Sequence, residues 1–255
     1  MKTYEERINS LVTSLKEYDN IVFFTGAGVS VESGIPDFRG AGGLYTTGNN
    51  IEYKLSYKYL TKNARKFYPW YAENIVEPME GKQPNDAHKA IAELEKLGKN
   101  VTVITQNIDG LHQMAGSTNV LEMHGRAQEW FCKNPRCRHK VSNKQVSKFK
   151  DDQGVPRCPN CGKQLRPAII LYGESLSDDL LYDATVAVGH ADVLVICGTS
   201  LTVTPVAYMP QRFFGYDIFV INQQETYMEK NVQTRCIFRE SVGQVLKDAV
   251  EKLKE

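Results

Sequence analysis

Four cysteines set the first chemical constraint. Cys132 and Cys137 are separated by four residues, Cys158 and Cys161 by two, and the pairs by twenty, close to the two-knuckle spacing of a tetrahedral zinc site. Four thiolates close the coordination shell and leave no position for a water, so the spacing predicts one structural zinc ion rather than a catalytic one. A second signal is Gly26-Ala27-Gly28, which follows an apolar run and lets backbone amides approach a pyrophosphate closely. A tight structural turn would use the same residues. The full dinucleotide fingerprint wants a third glycine where Val31 stands, and no clear acidic residue ends the following strand, which disfavours a hydride-transferring dehydrogenase.

Other short apolar runs hand over to small or polar residues in the same way: Thr105-Gln106-Asn107-Ile108-Asp109, His124-Gly125, Tyr172-Gly173-Glu174, Gly198-Thr199-Ser200 and Asn222. The runs themselves, Ile21–Phe24, Val101–Ile104, Asn119–Met123, Ala168–Leu171, Asp192–Cys197, Asp217–Ile221 and Arg235–Phe238, are too short for helices. Most are apolar on successive residues, as strands covered on both faces are. They alternate with helical stretches, over residues 3–18, 86–97 (Asp86 as cap, Gly98 at the end) and 241–254 (Ser241 as cap), which predicts an α/β fold with a parallel sheet between helices. In such sheets the carboxyl ends of the strands form the ligand crevice, so the polar residues above should converge on one site.

Bulk properties narrow the class. A composition 42% hydrophobic and 24% charged is that of an ordinary globular protein and excludes a disordered or fibrous chain. The net charge of +1 supplies no global field for polyanions. The polar N-terminus and the absence of any apolar run of about eighteen residues predict a cytoplasmic protein without a membrane segment. Cys197 and Cys236 sit inside apolar runs, in keeping with a reducing compartment.

The motifs continue through Ser33-Gly34-Ile35-Pro36-Asp37-Phe38-Arg39, Pro84-Asn85-Asp86-Ala87-His88 and Gly110-Leu111-His112. Taken in order over residues 20–250, they resemble the sirtuins, the NAD-dependent protein-lysine deacylases. The resemblance implies a Rossmann-like parallel sheet with helices on both faces (residues 1–39, 81–131 and 164–255) and a small zinc-binding domain formed by insertions (40–80 and 132–163). It implies that Gly26, Ala27, Gly28, Gly198 and Thr199 hold NAD, with Ser200 and Asn222 at phosphate and ribose hydroxyls. Arg39 would stand near the phosphates and Phe38 by the nicotinamide. Gln106, Asn107, Ile108 and Asp109 would line the nicotinamide pocket, Asp109 accepting from the carboxamide. His124 would be the general base and Asn107 a further catalytic residue. NAD would be consumed as a co-substrate. The partner would be an acetylated protein or peptide, and His88 and His112 would be structural.

Two features bear on specificity. Tyr68 is present where sirtuins that remove acidic acyl groups carry a tyrosine, but Tyr71 stands where they carry an arginine. An unpaired carboxylate is costly to bury, so an uncharged acyl group is expected. Residues 132–163 hold nine lysines and arginines against two aspartates. A nucleic-acid contact there weighs less than a solvated surface, because no aromatic interleaving supports base stacking. A protein ADP-ribosyltransferase and a non-catalytic zinc-bearing binding module are the competing readings.

Overall fold

The computed structural model describes residues 2–37 and 50–255. Its strands are β1 (Asn20–Thr25), β2 (Asn100–Thr105), β3 (Val120–Glu122), β4 (Gly125–Cys132), β5 (Lys140–Ser142), β6 (Leu165–Ile169), β7 (Val193–Cys197), β8 (Asp217–Ile221) and β9 (Thr234–Phe238). Six of them form one parallel sheet in the order β3-β2-β1-β7-β8-β9. The chain builds outward from β1 to β3 and then returns to pair β7 against the free edge of β1. The carboxyl ends of β1 and β7 therefore flank a topological switch point, where a crevice opens.

The helices are α1 (Tyr4–Glu17), α2 (Ile51–Lys54), α3 (Tyr57–Lys62), α4 (Ala64–Tyr71), α5 (Asp86–Lys96), α6 (Leu111–Ala115), α7 (Asn143–Val146), α8 (Asp178–His190) and α9 (Val242–Lys254). Successive strand residues point to opposite faces, and both faces are covered. Phe23, Val103, Val195 and Phe219 pack under Leu11, Ile91, Leu94, Val245 and Leu246 of α1, α5 and α9. Phe24, Ile104, Ile196 and Val220 pack against Ala184 and Val188 of α8 and the turn that holds Val206 and Met209. The helices expected at the two chain ends thus cover one face together. The cap of α5 is Asn85 rather than Asp86: its side-chain oxygen accepts from Ala87 N at 3.0 Å, which leaves Asp86 free to pair with Lys247.

The run Ala168–Leu171 is a correction to the sequence reading. It does not join the parallel sheet: β6 pairs antiparallel with β4, which pairs with β5. The small sheet so reaches past residues 132–163 on both sides. The run is apolar because it faces a second core, in which Ile169 and Leu171 meet Leu60, Phe67, Tyr68, Tyr71 and Trp130. Gly125 (φ +78°) begins β4 where a side chain would overlap the Ala168 carbonyl.

Beneath the crevice lies a buried polar spine. The Asn85 amide donates to Val29 O (2.8 Å) and Ser33 Oγ (3.0 Å), while its oxygen also accepts from His88 Nδ1 at 3.0 Å. The His88 ring lies 4.7 Å from that of His112, whose Nε2 is 3.1 Å from Thr25 Oγ1. His88 Nε2 and His112 Nδ1 are buried without a partner. Burial lowers the His88 pKa to about 4. An unfolded chain binds a proton to His88 near pH 6.5 that the folded chain refuses until about pH 4, so stability falls as pH drops through this window. His88 alone should contribute about 3 kcal/mol to the loss. Melting temperatures measured from pH 7 to 4 should fall less steeply in His88→Gln, and parallel curves would contradict this.

Candidate functional site

At the switch point the backbone is interlocked. Gly26 N donates to Cys197 O (3.1 Å) and Gly28 N to Gly198 O (2.8 Å). A Cβ on Gly26 would stand 2.7 Å from Thr199 Cβ, and one on Gly28 would stand 2.7 Å from Gly198 Cα. Gly198 itself has φ +56° and abuts the Gly28 and Val29 backbone. Only glycine fits these positions, and the turn Ala27–Val29 starts here without side chains in the way.

The loops at the sheet's carboxyl edge enclose a cleft of about 1050 Å³ lined by Gly26, Ala27, Gly28, Gln106, Asn107, Ile108, His124, Gly198, Thr199, Ser200 and Asn222, among others. The convergence expected from strand order is therefore present. Asp109 is set apart: with Asn107, Ile108 and Ser30 it lines a smaller adjoining cavity. Phe38 and Arg39 lie outside the described residues.

Gln106 joins three parts of the site. Its N donates to Thr25 O (3.0 Å), its side-chain amide donates to Thr199 Oγ1 (2.8 Å), and its carbonyl accepts from His124 Nδ1 (3.0 Å). A carbonyl can only accept, so Nδ1 carries the proton and Nε2 keeps its lone pair. Burial lowers the His124 pKa below its ordinary value, and the bond to Gln106 opposes this only in part. The ring is thus a neutral base at pH 7. His124 O in turn accepts from Ile170 N at 2.9 Å, fixing the main chain beneath the ring.

The Asp109 carboxylate is buried and accepts from Ser30 Oγ (2.7 Å) and Leu111 N (2.9 Å), and Asn107 Nδ2 donates to the same Ser30 oxygen at 3.1 Å. Burial raises the Asp109 pKa, and the two donors hold it back. Ser30 received no role from the sequence, although its place just after Gly26-Ala27-Gly28-Val29 was a usable signal. Leu55, Ile169 and Leu171, which line the cleft's apolar wall, were missed for lack of any local signal. Glu174 is a fixed carboxylate: burial raises its pKa, but two hydrogen bonds donated by Arg166 and one from Leu171 N at 2.9 Å lower it overall. That rules against a proton-transfer role for it.

The cysteine quartet forms at the far end of the small sheet. The four sulfurs all lie within 4.8 Å of one another, with 3.5 Å between Cys132 and Cys161 and 3.7 Å between Cys137 and Cys158. A tetrahedron of sulfurs at about 2.3 Å from a central zinc has edges of about 3.8 Å. Asn134 N points at Cys132 Sγ (3.4 Å), as a knuckle amide does.

The Sir2 family pattern matches residues 26–205. The chain belongs to the Sir2 family. An NAD-dependent protein deacetylase of Clostridium perfringens is 39% identical over 97% of this chain and 100% of its own length. One of Staphylococcus epidermidis is 42% identical over 86% of this chain and 87% of its own. Among solved structures, a Sir2–p53 peptide–NAD+ complex (TM-score 0.84, 33% identity) covers 99% of this chain and 98% of that one. A Sir2 homologue–NAD complex (TM-score 0.83, 36% identity) covers 96% and 93%. The Rossmann-like Sir2 sheet is the frame on which the cleft is built. Because the glycine interlock has no room for a methyl group, Gly28→Ala should lower the melting temperature and weaken dinucleotide binding at least tenfold by calorimetry. Unchanged affinity would mean that the loop yields.

Proposed function

We propose that this Sir2 enzyme is an NAD-dependent protein-lysine deacetylase that transfers the acyl group to ADP-ribose and releases nicotinamide. The observation that carries the reading is the His124 ring, held through Nδ1 by Gln106 so that Nε2 is the basic atom at the wall of a cleft. The acyl oxygen of the substrate attacks the ribose carbon as nicotinamide departs. His124 Nε2 then takes a proton from a ribose hydroxyl, which attacks the acyl-derived carbon. The carbon–nitrogen bond then breaks, the lysine amine leaves with a proton, and one water adds to the acyl-derived carbon, so that deacylated lysine and O-acyl-ADP-ribose result. Gly26, Ala27, Gly28, Gly198, Thr199, Ser200 and Asn222 hold the dinucleotide, with Phe38 and Arg39 assigned to it by sequence. Gln106, Asn107 and Ile108 line the nicotinamide side, Asp109 accepts from the carboxamide, and Asn107 acts beside His124. Ser30 aligns Asn107 with Asp109 through the bonds described above. His124→Ala should reduce kcat/KM on an acetyl-lysine peptide by at least about a hundredfold. In the wild type the acid limb of the kcat/KM profile should have its midpoint below 6.5, with activity falling as the ring protonates.

The acyl group is acetyl or another uncharged group. Tyr68 OH is already committed to Leu165 O (2.6 Å) and Gln164 (2.8 Å), Tyr71 is fully buried beside Phe67 and Trp130, and Arg65 is exposed. Among the described residues lining the cleft there is no lysine or arginine to meet a distal carboxylate. Acetyl-lysine should be turned over at least tenfold faster than succinyl-lysine in one peptide, and faster succinyl removal ends this assignment.

We read the second core, with its three-stranded sheet, as a small domain in which Cys132, Cys137, Cys158 and Cys161 hold one structural zinc. The closed thiolate shell supplies folding free energy and no reactive water. Metal analysis should give one zinc per chain, and strong chelation should melt the small sheet before the large one. None of the six cysteines is in a disulfide, in keeping with the cytoplasmic location proposed for the chain; among the described residues no helix is long and apolar enough to cross a membrane.

A further inference from the structure

Among the described residues the cleft is electrostatically one-sided. The charged residues lining it there are Glu32, Asp37, Glu174, Asp178 and Glu240, all acids. Two are neutralised from behind, Glu174 by Arg166 and Glu240 by Arg7. The chain from 167 to 211, which supplies the wall from Ile169 to Leu181 and the loop from Gly198 to Pro205, contains no lysine or arginine at all. It contains Glu174, Asp178, Asp179, Asp183 and Asp192.

The position of the acids matters as much as their number. The segment Ile170–Leu176 runs from the main chain under His124 to the start of α8. Asp178 and Asp179 form the first turn of that helix, both are exposed, and neither has an ion-pair partner among the described residues. Asp183 follows on the exposed face one turn on. Exposed side chains lie on the same wall and its neighbours: Ile170, Tyr172 and Tyr182. Tyrosine faces attract cations. Asp178 lines the same cleft as His124, beside Ser175, Leu176 and Leu181.

We propose that this wall selects acyl-lysines embedded in basic sequence, with an arginine or lysine within a few residues of the modified side chain meeting Asp178 and Asp179. The inference rests on the deacetylase reading above and names its substrate class. The attraction acts across solvent, so it is screened by salt and is felt mainly in encounter and KM rather than in the chemical step.

The test uses the whole enzyme at saturating NAD and acetyl-lysine peptides matched in length, with arginine, alanine or glutamate placed singly at each neighbouring position. At low ionic strength kcat/KM should rank arginine above alanine above glutamate on at least one flank. The arginine-to-glutamate ratio should be on the order of fivefold to tenfold, carried by KM. It should shrink severalfold at about 0.5 M salt, and again in the Asp178→Asn/Asp179→Asn double variant at low salt. Equal rates for the two peptide sets, a preference for glutamate, or a ratio that the double variant leaves intact would each overturn the proposal while leaving the deacetylase reading standing. If no acetylated peptide releases nicotinamide, the reading itself fails and the proposal goes with it.

Discussion

The close contact of two backbone segments, at the carboxyl ends of β1 and β7, is the constraint from which the rest of the site follows. Parallel strands that diverge there leave a gap, and the gap becomes a dinucleotide-sized crevice only if no side chain fills it. Gly26, Gly28 and Gly198 keep it empty by packing main chain on main chain, at distances that a single methyl group would violate. The loops that follow β2, β3 and β8 then have a fixed floor to converge on. The function of this Sir2 chain is in that sense built around missing atoms.

Support for the floor comes from below. Asn85 binds the segment after Gly28 at two points, and the imidazoles of His88 and His112 fill the space under β1 and the Asp109 loop. These rings are deprived of water and of part of their hydrogen bonding. A buried polar network of this kind specifies one arrangement because each alternative leaves more groups unpaired. The spine relies on neutral imidazole, as His124 above it does, although His124 reaches the cleft and the other two do not.

Six of the seven apolar runs were legible as strands of the parallel sheet because a strand buried on both faces has a sequence pattern of its own. The seventh, Ala168–Leu171, carries the same pattern for another reason. Its Ile169 and Leu171 side chains join the aromatic cluster of Phe67, Tyr71 and Trp130 while Ile170 is exposed, and a run of apolar residues does not say which core will bury it. Boundary errors had a similar source. Asn85 and Asp86 are both good cap residues, and only the three-dimensional demand of Val29 and Ser33 for a donor decides between them. The cleft residues were legible where they directly follow strands. Leu55 was not, since it arrives from a helical insertion far away in sequence, and Ser30 was overlooked because its hydroxyl matters only once Asn107 and Asp109 are brought beside it.

Gln106 shows what such an arrangement entails. One residue at the end of β2 fastens the His124 ring through its carbonyl and Thr199 through its side chain, while its own amide is tied to β1. In the proposed function, the geometry of proton removal and the geometry of dinucleotide seating consequently share a hinge pin. They can drift together as the sheet breathes, but neither can be retuned without disturbing the other.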